Sequence, residues 1–372
     1  MVELISNNTR ENRLATLAGS TIIIWFFSEM FFQNEGAHFY VWSQRESTAQ
    51  VLLDLSLMFT ELLLFYGFFV AWFLVAIAYF RVRSLWALAF AAVICGWAIE
   101  GSVLPIMYAE MPLGLLWPAA SWHVLINVFL GWWLLRKIIE SRSFSVVTIV
   151  FSLLGAWWSL WSTWYWPLSG SGNMETLSLP MTPADFTFVA LYSGTALAIG
   201  YWLLGKYGNK GFNLSDKSAL IFFAVASVLT VIFSQTFSLI FFVLVGLAVL
   251  FLWRNRKDEK QPNILSTISK NTPTANYLAV LSMPLVAAMV YAVLYEHNIS
   301  LNAYIYLVLW PLIMASLALF LYSGYRIFKN YMEAFGRGMD RVSIPLVLPT
   351  GITWLETGLQ IKNKPAHRHK QK

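Results

Sequence analysis

Two carboxylates and an imidazole, Glu100, Glu110 and His123, fall within Trp97–Asn127, a stretch whose other residues are mostly apolar. An ionised group held in hydrocarbon costs about 2.5–3.5 kcal/mol or more, so a chain that keeps one there uses it. Further acids lie in neighbouring apolar runs: Glu29, Asp54 and Glu61. Three chemistries fit such a set. A carboxylate beside a histidine is a general acid–base pair, and burial raises a glutamic acid toward neutrality. The same groups can relay protons or a cation. Carboxylates and histidines from several helices can bind a metal. The metal reading ranks lowest, because neither Glu-x-x-His nor His-x-x-x-His occurs in these runs. Only His123 is well placed within a span, so bis-histidine haem ligation from this chain alone is not expected. The sequence names no cofactor.

The elements that must position these groups are membrane helices. The chain has 372 residues, 58% hydrophobic and 12% charged, with a mean hydropathy of +0.61. That is about half the charge of a soluble domain. We read an all-α, polytopic bundle of about ten transmembrane helices, each of about 17–25 residues. They are expected near 15–34, 57–80, 85–106, 114–135, 144–166, 186–205, 217–235, 237–253, 277–296 and 303–324. Residues 1–330 then form one transmembrane domain, with the polar site on 1–135 and a mainly apolar scaffold over 144–324. Residues 331–372 read as a cytoplasmic tail, interfacial and then disordered, in which His367 and His369 are solvated.

The net charge of +6 reflects topology rather than a nucleic-acid partner. Arg10 and Arg13, Arg81 and Arg83, Arg136, Lys137 and Arg142, Lys206 to Lys217, Arg254 to Lys260, and Arg326 and Lys329 occupy alternate loops. Both termini are therefore expected on the cytoplasmic side. No cleavable signal peptide is expected, and the single Cys95 rules out an intrachain disulfide. A bacterial or archaeal inner membrane is the expected location.

Helical rise places Glu29 about two-thirds of the way across the first span, and His123 near the middle of the fourth with Asn127 one turn deeper on the same face. Glu61 lies about one turn inside the second span, with Asp54 two turns before it, while Glu100 falls in the outer third of the third span and Glu110 at its outer turn. All point to the outer half of the bilayer. Glu100 and His123 are the expected catalytic pair, with Glu61 and Glu29 supporting; Glu110, Asn127, Trp97, Tyr108, Trp122 and Asp54 are expected to contact substrate. Glu35 and His38 could fold over the same site. Each acid also has a plain structural reading, as a carboxyl bonded to a neighbouring helix or facing water, and His123 with Asn127 can be a helix-to-helix pair. Trp157, Trp158, Trp161, Trp164 and Trp166 crowd one end of the fifth span. They read as an interfacial belt, or as the wall of a lipid-binding groove.

The segment Glu100-Gly101 … Pro105 … Tyr108 … Pro112 … Trp122 resembles one in the membrane carotenoid hydratase family, with different spacing and in a family of fewer spans. Trp25-Phe-Phe-Ser-Glu29-Met-Phe-Phe resembles the Ser-Glu helix of oxidase subunit three. Both are short likenesses, and neither assigns a family. No five-plus-five inverted repeat is evident. The expected function is acid–base catalysis on a lipid or isoprenoid substrate. Proton- or cation-coupled transport is the first alternative, and a non-catalytic role in a larger membrane complex is the second. The expected partner is a membrane lipid or other hydrophobic small molecule.

Overall fold

A computed structural model describes residues 2–32, 48–103, 106–109, 111–164, 166, 181–212, 215–234, 238–256, 263–269 and 272–339. Among these residues every regular element is a helix. In chain order they are α1 (Val2–Trp25), π1 (Phe26–Phe31), α2 (Thr48–Tyr79), α3 (Leu85–Ala98), π2 (Ile99–Val103), α4 (Ile106–Ala109), a 3-10 turn (Leu113–Leu115), π3 (Ser121–Leu135), α5 (Arg136–Ser141), α6 (Phe144–Trp161), α7 (Pro183–Gly211), α8 (Asp216–Ser234), α9 (Ser238–Asn255), α10 (Ile264–Thr267), α11 (Thr274–Ala279), α12 (Ser282–Glu296), a 3-10 turn (Asn302–Tyr304) and α13 (Tyr306–Met339). The chain divides into two units, Met1–Tyr331 and Met332–Lys372. The first holds the bundle; in the second, the described residues are the final turns of α13.

Among the described residues, seven helices are long and apolar enough to cross a membrane: Arg10–Phe31, Leu85–Ser102, Ser121–Ser141, Phe144–Trp161, Pro183–Gly208, Thr274–Glu296 and Tyr306–Glu333. Leu63–Tyr79, Lys217–Phe233 and Leu239–Asn255 are shorter apolar helices. Local chemistry sets their ends. Ser84 accepts a hydrogen bond from the Ala87 amide at 3.2 Å and caps α3. Thr182 caps α7 through Asp185 N at 3.2 Å, with Pro183 in the first turn, where its missing N–H costs nothing.

The fourth span begins later than its hydropathy implies, at Ser121 instead of 114. Pro118 lies in that interval and supplies no N–H, so the chain turns before the helix sets in. The same span runs on through Arg136, a residue expected in a loop, which is fully buried.

Burial identifies the centre of the bundle. Leu85–Ser102 is 83% buried and Arg10–Phe31 72%, whereas Tyr306–Glu333 is only 17% buried. α1 packs along α7 and against α2, while α6 packs along α12. The beginning of π3 lies against α3.

Candidate functional site

The expected residues fall on unusual backbone. Glu29 lies in π1, Glu100 in π2, and His123 and Asn127 in π3. A π-helix closes its hydrogen bonds one residue later than an α-helix, which widens the turn; such segments are rare and cluster at functional sites.

A glycine brings two of these segments together. A Cβ at Gly96 would collide with the Ala119 carbonyl oxygen and sit 3.1 Å from His123 Cβ. Only hydrogen at that position lets α3 touch the start of π3. One turn after Gly96, Glu100 Oε1 meets His123 Nε2 at 2.7 Å. Gly131, two turns further along π3, admits the Phe27 ring against its backbone in the same way.

The other face of the imidazole is also held. Asn127 Nδ2 lies 2.7 Å from His123 Nδ1 and donates to Ser28 Oγ at 2.5 Å, and Ser28 Oγ is itself 3.3 Å from Nδ1. With the amide donating to Nδ1, the ring proton resides on Nε2 and points at Glu100. Beside Ser28, Glu29 accepts a 2.5 Å hydrogen bond from the Tyr66 hydroxyl. Tyr66 also lies within electrostatic range of Ser28 and Glu100. The side chains of α2, π1, π2 and π3 therefore form one buried polar cluster: Glu29 is 5% exposed, Glu100 6%, His123 5% and Asn127 0%. Each carboxyl has a donor at hydrogen-bond distance, as its burial demands.

Indole groups hold the backbone that carries this cluster. Trp122 Nε1 donates to the Phe27 carbonyl at 2.9 Å, and Trp158 Nε1 to the Met30 carbonyl at 2.8 Å. Trp161 and Trp164 both donate to the Phe32 carbonyl, at 2.9 and 3.1 Å. Trp122 stacks on Trp161 with centroids 5.0 Å apart, and the Phe32 ring lies 4.1 Å from Trp122. The belt expected at the end of the fifth span is thus turned inward for Trp158, Trp161 and Trp166, which are buried; Trp157 is exposed.

The remaining expected residues are placed as follows. Trp97 is half-buried and donates to the Leu115 carbonyl at 3.1 Å. Tyr108 donates to the Gly101 carbonyl at 3.0 Å, and burial pushes its hydroxyl up to about 12, so it remains a donor. With Trp122 bound to Phe27, the polar atoms of all three aromatic residues face backbone. Glu61 lies on the exposed face of α2, apart from the buried cluster. Asp54 lies on α2 near its start. Glu110, Glu35 and His38 lie outside the described residues. Among the described residues no three of His, Cys, Asp and Glu gather to hold a metal ion. Ser28 and Tyr66 are the members that sequence reasoning missed.

No protein-family model, curated protein or solved structure matches this chain.

Proposed function

We propose that this chain is an intramembrane enzyme that works by acid–base chemistry on a lipid or isoprenoid substrate in the outer half of the bilayer. In this reading the seven long helices and the three shorter apolar ones make ten spans, with both termini on the cytoplasmic side. Contacts among the basic segments support that topology. Arg256 lies over Tyr79, Arg326 over Trp86, and the Ile264 amide donates to the Val82 carbonyl at 2.8 Å. Lys137 donates to the Thr267 carbonyl. These pairs draw the ends of α2, α5, α9 and α13 to one end of the bundle, as one cationic side of a membrane protein requires.

The observation that carries the catalytic reading is the 2.7 Å contact between His123 Nε2 and Glu100 Oε1, with Nδ1 held from behind by Asn127. With both imidazole nitrogens engaged, the second carboxyl oxygen of Glu100, backed by His123 Nε2, is the atom that can take a proton from a substrate and return it. Positioned groups of this kind contribute about 10²–10⁴-fold to rate. Glu29 with Tyr66 forms a second proton-holding pair, and Asn127 acts as a positioning residue. The test is the lipid profile of the host by mass spectrometry with Glu100→Gln and His123→Gln variants. Loss or accumulation of a defined isoprenoid or lipid is expected; profiles identical to wild type would sink the reading.

Proton- or cation-coupled transport is the second reading. It is favoured by the same cluster, because Tyr66, Glu29, Ser28, His123 and Glu100 bring groups that exchange protons together from several helices. Proton uptake by proteoliposomes, abolished by Glu100→Gln with the lipid profile unchanged, would select it. A structural subunit is favoured only by the bare flank of Tyr306–Glu333. Co-purification of a partner at fixed stoichiometry would support that role.

A further inference from the structure

The Asn127 carboxamide has a mismatch with its surroundings. Its side chain is fully buried, and Nδ2 spends both hydrogens, on Ser28 Oγ at 2.5 Å and on His123 Nδ1 at 2.7 Å. Oδ1 is buried and has no hydrogen-bond partner among the described residues. Turning the amide over does not cure this. Oδ1 would then accept from Ser28 and from a proton on Nδ1, and both Nδ2 hydrogens would lose their acceptors. Either orientation leaves one end of the amide facing no polar group among the described residues, and the orientation shown leaves the less costly one, a carbonyl oxygen.

We infer that Asn127 holds a small neutral hydroxyl group at its Oδ1 end, behind His123 in the buried polar cluster. A hydroxyl both donates and accepts, so it can donate to Oδ1 or, with the amide turned, accept one Nδ2 hydrogen; a cation suits only Oδ1 and an anion only Nδ2. The gathering of acids that would favour a metal cation is lacking among the described residues. Buried amides unsatisfied by protein are the usual partners of internal hydroxyls. The hydroxyl can come from a water molecule or from an alcohol on a bound lipid. This site goes beyond the acid–base reading and does not depend on it, since a hydroxyl here serves proton relay as well as catalysis.

The test uses the full chain purified in detergent, by infrared difference spectroscopy after exchange into H₂¹⁸O, alongside mass spectrometry of the organic extract. A water source predicts an isolated O–H stretching band that shifts with ¹⁸O in wild type, is kept in Asn127→Asp and is lost in Asn127→Leu. A lipid source predicts no shifting band and a hydroxylated compound retained by wild type and by Asn127→Asp but not by Asn127→Leu. Neither band nor retained alcohol in wild type overturns the inference, even if Asn127→Leu does not survive extraction. A band or alcohol unchanged in Asn127→Leu also overturns it. So does a melting temperature that rises with Na⁺ in wild type and in Asn127→Asp but not in Asn127→Leu, which would make the guest an ion.

Discussion

Gly96→Ala is expected to open the Glu100–His123 pair without touching either residue. The added methyl would overlap the Ala119 carbonyl oxygen and press on His123 Cβ at 3.1 Å. Carbon contacts relax at about 3.5–4 Å, so α3 and the start of π3 must separate by about 1 Å. Glu100 lies one turn beyond Gly96, and His123 one turn beyond Ala119, so the shift reaches the 2.7 Å contact almost undiminished. At about 3.6 Å it is no longer a hydrogen bond. Overpacking costs about 1–3 kcal/mol, and losing a hydrogen bond to a charged group adds about 1.5–3 kcal/mol. If the pair is catalytic, a displacement of about 1 Å lowers the rate by about 10²-fold. Gly246→Ala is the matched control: it lies within α9 and a Cβ there meets nothing within 4 Å. That change is expected to be neutral or to stabilise by up to about 1 kcal/mol, from helix propensity alone. Thermal unfolding in detergent and the ¹⁵N-histidine side-chain resonances of both variants are the assay. A Gly96→Ala protein as stable as Gly246→Ala, with the His123 Nε2 proton resonance of wild type, would refute the reasoning.

Four further outcomes are expected. Trp158→Phe keeps a benzene ring but removes the pyrrole ring with its donor to the Met30 carbonyl at a fully buried site, so it should destabilise by about 1–3 kcal/mol or more, read by thermal unfolding. Tyr66→Phe removes the hydroxyl that donates to the buried Glu29 carboxyl and should cost about 1–3 kcal/mol, with a new carboxyl stretching frequency in the infrared spectrum. Glu61→Gln should leave stability within about 0.5 kcal/mol and the lipid profile unchanged, because the side chain is exposed; a loss of function there would reinstate it in the site. Arg136→Lys should cost about 1–2 kcal/mol, since an ammonium cannot reproduce the two 3.2 Å contacts from the guanidinium to Thr272 Oγ1; the yield of folded protein after extraction measures it.

Glu100, His123 and Asn127 were legible in the sequence because charge and amide groups stand out in an apolar run, and because Asn127 follows His123 at helical spacing. Ser28 and Tyr66 were not. A serine in a membrane helix ordinarily bonds its own backbone, as Ser102 and Ser159 do here, and a tyrosine is common among so many aromatics. Which tyrosine faces Glu29 depends on how α1 and α2 pack, and apolar surfaces on all sides give no periodicity from which to read that. The exposed facing of Glu61 was not legible for the same reason, since depth along a helix says nothing about its facing. Hydropathy also cannot register a π-helix, because widening a turn changes neither composition nor length appreciably. The buried Arg136 escaped notice because it sits beside Lys137 and Arg142, where it reads as one more cation of a loop.

The inward-facing tryptophans and the π-helices explain each other. A widened turn leaves carbonyls poorly served by their own helix, and hydrocarbon offers no water to replace the bond. Irregular backbone at that depth survives only where protein supplies donors. Indole is well suited to supply them, because it carries one N–H, no acceptor that would itself need satisfying, and a large apolar body that packs around the bond. Three carbonyls in and beside π1, those of Phe27, Met30 and Phe32, receive four indole donors from π3, α6 and the turn that follows α6. The spans that carry π segments are also well covered, at 72%, 83% and 56% buried, whereas α6 is 33% buried and presents to π1 the face that bears Trp158 and Trp161. The apolar half of the chain is therefore more than packing. It supplies donors that keep Ser28 and Glu29 on a fixed backbone beside Tyr66, Asn127 and His123, and a fixed backbone is what an acid–base site requires of its surroundings.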